Sequence, residues 1–328
     1  MGKWLWKFLS VALLGLGASI CSAGTLTVTS PTANSYISPS SSITYNISGA
    51  VVQVTVSVVT TFPDGSSTTS TQQILPTNDG NASGTIAVSL SSSSPAGKYT
   101  FTVSASEPNN SYTPTTLSVT LLPQAPQFTS FSPPDGTFEG GTVHILAGIS
   151  DAHLQQWTVQ VNGQNIPNNT GTTNQVSVNW DTSGVVKDGV QAITITATDL
   201  ASQTTTTTAN ITLCRVPPVI TIEYPGTGTV VIPGSQINIA ISIQGEFANS
   251  VDKTGVDVRV MTVSGVYLLR VPFATLTSSS SSSTTSVWTG RIRYVPGQLP
   301  KTFRLVVTTV DKAGNFATPQ TQLVTISS

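Results

Sequence analysis

The sequence predicts an all-β protein built as three tandem antiparallel β-sandwiches behind an export signal. The composition points there first. Of 328 residues, 43 are Ser and 52 are Thr, while Asp, Glu, Lys and Arg together make up 8%, against about 25% in an average soluble protein. Ser, Thr, Val, Gly and Pro are all weaker helix formers than the scarce Glu and Lys. The second observation is alternation: Val52, Val54, Val56 and Val58, then Trp157, Val159 and Val161, then Ile237, Ile239, Ile241 and Ile243 are each separated by single residues. A period of two turns one face of a strand to a core and the other to water. The third is repetition, since the same landmarks recur in the same order three times.

The same numbers exclude other classes. A hydrophobic content of 38% with a net charge of −1 leaves ample apolar surface to bury, unlike a disordered chain. No Lys/Arg cluster provides the electrostatic footprint of a nucleic-acid binder.

The N-terminus sets the compartment. Lys3 and Lys7 flank Trp4-Leu5-Trp6, and Phe8 to Ile20 runs without a charge. That stretch is shorter than the ~20 residues needed to span a bilayer. Cys21-Ser22-Ala23 then offers small residues before Gly24, the pattern of a cleaved secretory signal over 1–23. Acylation of Cys21 is an alternative, although Ile20 stands where such signals carry a small residue; an uncleaved anchor is another. Cleavage removes two lysines and no acid, lowering the formal charge from −1 to −3, and leaves Cys214 as the single cysteine, so no internal disulfide is expected. The chain ends Val324-Thr325-Ile326-Ser327-Ser328 without an apolar tail or sorting signal. The expectation is a protein released, periplasmic, or held at the surface by another protein, with no membrane insertion after cleavage.

The repeat is read from landmarks. Ser30-Pro31, Ser132-Pro133 and Tyr224-Pro225 open the three units, and eight residues later Pro39 and Pro233 each lead into a stretch ending Ile-Ser, at Ile47-Ser48 and Ile241-Ser242. Turns follow at Asp64-Gly65, Asn162-Gly163 and Ser264-Gly265. Asn-Gly is a strong hairpin signal because both residues tolerate positive φ. Each unit closes with an alternating strand, Lys98 to Glu107, Val190 to Asp199 and Thr302 to Asp311. Pro123-Gln124-Ala125-Pro126 and Pro217-Pro218 mark the joints, since proline cannot donate to a ladder and stiffens a short connection. The domains are then 24–123, 124–216 and 217–328. Such joints are expected to carry few contacts, giving an elongated monomer whose units unfold independently.

Particular residues carry a family resemblance. Unit two contains Ser132-Pro133-Pro134-Asp135-Gly136, Trp157 to Gly163, Asp188-Gly189 and Thr196-Ala197-Thr198-Asp199, and unit three ends Val310-Asp311-Lys312-Ala313-Gly314-Asn315. These stretches resemble the bacterial immunoglobulin-like (Big-type) repeats of secreted and surface proteins, whose last hairpin often reads small-Thr-Asp-x-Ala-Gly-Asn. Unit one departs from that hairpin with Glu107-Pro108-Asn109-Asn110, and unit two with Ala201-Ser202-Gln203. The resemblance implies immunoglobulin-like sandwiches that serve as spacers, adhesins or modules attached to enzymes.

Residues that could carry chemistry are few. His144 and His153 are the two histidines, and neither has a nucleophile motif to serve. His144 is expected on the outward side of a strand and His153 in a loop, where with Asp151 it would make only half a zinc site. Asp199, Asp311 and Asn315 sit at unit-closing turns and are weak calcium candidates, but each turn has one acid where calcium takes 6–8 oxygens. The competing reading has Asp311 hydrogen-bonding its own turn while Gly314 supplies positive φ. The 14 acids are scattered and suggest no carboxylate pair for glycoside cleavage. No catalytic residue, cofactor or metal is therefore expected. Trp157, Trp180 and Trp288 read as core, Cys214 as buried in preference to an intermolecular thiol, and Tyr36, Tyr112 and Tyr267 as the aromatics better placed for exposure. Ser278 to Ser283 reads as a flexible connection, and Thr204 to Thr208 as the start of a strand. The functional expectation is a non-enzymatic surface, adhesive or structural module meeting a protein or polysaccharide of the cell envelope. The alternative is a carbohydrate-binding accessory protein, which would need a row of exposed aromatics.

Overall fold

The computed structural model describes residues 22–232, 236–271, 277–281, 284–293 and 297–327. The expected signal core, with Cys21, lies outside them. The first sandwich comprises β1 (Ser22–Ala23), β2 (Thr25–Ser30), β3 (Tyr36–Ile37), β4 (Ser42–Ser48), β5 (Val54–Thr61), β6 (Ser67–Ile74), β7 (Ala82–Ala87), β8 (Gly97–Glu107), β9 (Asn110–Ser111) and β10 (Thr115–Leu121). The second comprises β11 (Gln127–Ser132), β12 (Phe138–Glu139), β13 (Thr142–Ser150), β14 (Leu154–Val161), β15 (Gln164–Gly171), β16 (Gln175–Asp181), β17 (Gly189–Asp199) and β18 (Thr204–Leu213). The third comprises β19 (Val219–Tyr224), β20 (Val230–Val231), β21 (Gln236–Gln244), β22 (Asp257–Thr262), β23 (Tyr267–Arg270), β24 (Thr277–Ser281), β25 (Thr285–Arg293), β26 (Thr302–Thr308) and β27 (Gln320–Ile326).

One strand order serves all three. A small sheet runs β2-β4-β7, β11-β13-β16 or β19-β21-β25, the last extended by β24. The facing sheet runs β3-β10-β8-β5-β6, β12-β18-β17-β14-β15 or β20-β27-β26-β22-β23. The opening segment of each unit is shared between the sheets. Its first part pairs antiparallel in the small sheet, and its second pairs parallel with the last strand. The chain crosses over directly after the landmark prolines, and the Ser30–Pro31, Ser132–Pro133 and Tyr224–Pro225 bonds are all cis. Two facing antiparallel sheets in this order form an immunoglobulin-like sandwich.

The alternation does what it predicts. In β5, Val54, Val56 and Val58 are buried against Ile43, Tyr45 and Phe101. Val159, Ile193, Ile195 and Ile211 centre the second core, and Ile237, Ile239, Ile241, Ile243, Phe303 and Leu305 the third. Trp157, Trp180 and Trp288 are all buried. The Trp157 indole donates to Thr173 O at 2.9 Å, and its ring packs close against Gly171. The Asn162-Gly163 turn has positive φ at both residues, 50° and 74°.

Ser22 and Ala23, at the end of the expected signal, pair in parallel with Asn110 and Ser111. One expectation needs correction. Ser278 to Ser281 of the serine run belong to the edge strand β24 rather than to a free connection, and Ser282 and Ser283 lie outside the described residues; ladder pairing uses backbone groups, which serine supplies. Thr204 to Thr208 does begin β18.

A Cβ on Gly171 would fall 2.2 Å from Trp157 Cζ2. Gly171→Ala is expected to cost about 1–3 kcal/mol through overpacking, read as a lowered denaturant midpoint. An unchanged midpoint would show that the indole can move aside.

Candidate functional site

The chain forms two compact units, one holding the first sandwich with Leu200–Gln203 and the other the second and third sandwiches. Within the second unit, the turn at Asp311 is the site the sequence singled out. Asp311 is buried, and its carboxylate accepts Asn315 N at 2.7 Å and Asn315 Nδ2 at 2.8 Å. Gly314 supplies φ of 88°. The carboxylate is thus committed to its own turn, as turn chemistry requires. Asp199 is equally buried at the matching place in the second sandwich. Among the described residues, no three His, Cys, Asp or Glu side chains gather to hold a metal ion.

What the sequence did not reveal is the joint this turn helps to build. Asn315 Nδ2 also donates to Cys214 O at 2.9 Å, and the Cys214 thiol lies 3.5 Å from Asp311 Oδ2. Cys214 is fully buried, and burial, aided by the Asp311 and Glu246 carboxylates, pushes its thiol far up. Such a thiol is inert. Arg215 fills the next position. Its guanidinium pairs with Asp188 and donates to Thr182 O at 2.7 Å and Val185 O at 2.8 Å. Its backbone N–H is shared by Asp188 and Glu246, and Glu246 also accepts Val216 N at 3.1 Å. Lys312 Nζ sits 5.5 Å from the Phe138 ring centre, within cation–π range. The joint at Pro217 is therefore not sparse, and the expectation of few contacts fails there. A single arginine between Leu213 and Pro217, in a chain so poor in charge, was the available clue.

The first sandwich uses a different closing turn. Glu107 stands at the place of Asp199 and Asp311, and accepts Val51 N at 3.1 Å, Val52 N at 3.0 Å, the Tyr112 hydroxyl at 2.9 Å and the Asn110 carboxamide. Asn110 in turn accepts Gly24 N at 3.0 Å and donates to Gly49 O at 2.9 Å. Burial alone would raise the Glu107 carboxyl, but its Val52, Asn110, Tyr112 and Val51 donors together outweigh that and hold it below the ordinary range. Tyr112, expected exposed, is buried by this cluster. Its phenol is pushed up to about 12 by burial and then by Glu107. Tyr36 and Tyr267 do lie at the surface. In Leu200–Gln203, Gln203 Nε2 donates to Leu122 O at 3.0 Å.

The two histidines lie at separate places in the second sandwich. Val143 and Ile145 are buried and His144 points outward, its Nδ1 2.6 Å from Asn179 Oδ1. His153 follows β13 in the bend before β14, with its N–H on Asp151 Oδ1. On the outer face of the larger sheet of the second sandwich, threonines form rows: Thr194 with Thr208 at 3.1 Å and Thr196 with Thr206 at 3.0 Å between hydroxyls. No helix among the described residues is long and apolar enough to cross a membrane.

No protein-family description matches the chain, and no curated protein does. Solved structures do. Fibronectin(III)-like modules of Clostridium thermocellum CbhA align at 12% identity over 62% of this chain and 94% of theirs, with a TM-score of 0.38. Titin domains I67–I69 align at 12% identity over 92% of this chain and 98% of theirs, with a TM-score of 0.36. A structure concerned with host cell surface retention of a 1.5-MDa bacterial ice-binding adhesin aligns at 15% identity over 94% of this chain and 100% of its own, with a TM-score of 0.32. The sandwich assignment stands on the strand order itself.

Two outcomes follow from these turns. A carboxyl held low in the fold contributes stability above its ordinary value near about 4.3, and that contribution is lost as pH falls through the folded value. The melting temperature of Glu107→Gln should therefore fall less steeply with acid than that of the parent, and parallel acid limbs would contradict the assignment. Arg215 and Asp188 side chains are only 27% and 9% exposed, so Arg215→Ala, which strands a mostly buried carboxylate, should cost about 2–4 kcal/mol. Arg259→Ala breaks a pair whose arginine is 55% exposed and should cost at most about 1 kcal/mol. Equal losses in denaturant titrations would show that the joint adds nothing.

Proposed function

We propose that this chain is a non-enzymatic, exported module: an array of immunoglobulin-like sandwiches that works at the cell surface or envelope by reach and attachment. One observation carries the reading. The joint after Cys214 is hydrogen-bonded to both neighbouring sandwiches, through Asp188 on one side and through Glu246, Asp311 and Asn315 on the other. A joint built this way fixes two domains against each other, which serves load or spacing and contributes nothing to turnover. The chain's few charged side chains support the same reading, because many of them are spent on turns and this joint. The carbohydrate-binding alternative, which needs a row of exposed aromatics, gains no support from Trp157, Trp180 and Trp288, all of which are buried.

The array is read as extended. Three sandwiches of strands rising ~3.3 Å per residue, with their end loops, span about 120 Å end to end. Small-angle scattering of the processed chain is expected to give a maximum dimension near that length. A value near about 70 Å would mean that the domains fold back on one another, and the spacer reading would fall.

A further inference from the structure

The small sheet of the third sandwich carries a groove of about 740 Å³ on its outer face, within the size range of ligand sites. The pairing of β21 with β25 builds it. Gln236 lies opposite Arg293, Asn238 opposite Arg291 and Ala240 opposite Thr289, while the alternate residues Ile237, Ile239, Trp288 and Ile292 are buried in the core. All the polar members of these pairs therefore share one outer face. Tyr224 of β19, opposite Ala240, is 42% exposed and forms a wall over the small alanine.

The charge of this groove is unusual for the chain. Ion pairs among the described residues join Arg215 to Asp188, and Arg259 and Arg270 to Asp257; neither Arg291 nor Arg293 takes part in one. Arg291 reaches only the neutral Gln236 Oε1, at 3.5 Å. Glu223, the acid on the same sheet, accepts the Ser242 hydroxyl at 2.8 Å, and Ser242 lies two strand positions beyond Ala240. The grooves on the corresponding faces of the other sandwiches are lined by uncharged residues, and the charge the second of those faces carries, at Asp181, is negative. The first is lined by residues such as Thr27, Asn46 and Asn81, and the second by Phe131, Leu146 and Gln175. Two guanidiniums without counter-ions, in a chain with only 13 Lys and Arg, thus stand side by side where the fold repeats a groove.

We infer that this face of the third sandwich binds an acidic polysaccharide, a sugar chain bearing ring carboxylates. Arg291 and Arg293 are two positions apart on one strand, about 6.7 Å between Cα atoms, and each presents a planar fork suited to a carboxylate. Asn238, Gln236 and Thr289 beside them offer hydrogen bonds to sugar hydroxyls, and the Tyr224 ring offers a flat apolar surface to a pyranose face. The groove is open along the sheet, which suits a polymer passing through and gives a small free anion no enclosure. The inference names the partner for the attachment side of the proposed function and rests on it. Scattering tests the array and glycan binding tests the groove, so the two can fail separately.

The test is affinity electrophoresis of the processed full chain through gels containing polygalacturonate, dextran or polyphosphate. Polygalacturonate should retard the protein, dextran should not, and polyphosphate should retard it at least tenfold less. The double variant Arg291→Gln/Arg293→Gln should lose at least tenfold in affinity. Arg259→Gln/Arg270→Gln, which removes the same charge from the same sandwich, should bind like the parent. Both pairs are exposed, and a cooperative melting transition above the assay temperature checks that each variant is folded, the Arg259/Arg270 variant melting lower because Asp257 loses both partners; Arg291→Lys/Arg293→Lys, which keeps the charge but not the fork, should fall between. No retardation by polygalacturonate, equal loss in both double variants, or stronger retention by polyphosphate would overturn the inference.

Discussion

Every sandwich in this chain rests on one-sided burial of alternating strands, with no cross-link among the described residues to assist it. Cys214 is a free, buried thiol, so cohesion comes from apolar burial and hydrogen bonds without a disulfide. Domains near 100 residues can bury enough apolar area to be stable. The consequence reaches every other feature. Since the inner faces are fixed as Val, Ile, Leu and aromatic residues, variation is confined to outer faces, turns and joints. The outer faces are chiefly hydroxyl and amide, with threonine rows that satisfy one another across β17 and β18. The carboxylates of Glu107, Asp311 and Asp188 close turns and hold the joint.

The sequence was most legible where the physics is local. A period of two is visible in any eight-residue window, and the turn at Asn162-Gly163 needs only its own two residues. The Asp311 turn was readable for the same reason, because its carboxylate bonds Asn315 four positions on. The joint was not readable. Cys214 meets Asp311 and Asn315 across 97 and 101 residues, and no window contains both. Tyr112 was misplaced by the same blindness. Its burial depends on Gly24, whose Cα leaves room for the ring, and on a Glu107 carboxylate whose other donors, Val51 and Val52, lie more than fifty residues upstream. The division of the opening segment between two sheets also leaves no trace in composition. β3, β12 and β20 are two residues each, too short to show a period.

The closing turns show how one architecture absorbs different chemistry. Asp311 accepts hydrogen bonds from within its own turn and leaves Asn315 to reach the preceding chain at Cys214. In the first sandwich the duties are redistributed: Glu107, one methylene longer, reaches Val51 and Val52, and Asn110 takes the incoming chain at Gly24 N. In each case a carboxamide on the turn holds the segment that enters the sandwich. Entry into a sandwich is thus part of its structure, which is why Ser22 and Ala23 pair as a strand although the sequence pattern counts them with the leader.

That dependence has a thermodynamic consequence for the second unit. Cys214 is bonded to Asp311 and Asn315 of the third sandwich, and Arg215 is held by Asp188, Thr182 and Val185 of the second. Unfolding the third sandwich takes Glu246 from the Arg215 and Val216 N–H groups, unfolding the second takes Asp188 from Arg215 N, and either leaves polar groups at the joint without a partner. Each sandwich therefore protects contacts that the other needs, and the two share a coupling free energy in addition to their own cores. The prolines at 217 and 218 add to it by limiting the conformations open to the chain once either side lets go. Stiff spacing and cooperative unfolding are in this sense the same property, both set by a few polar atoms between Leu213 and Pro217.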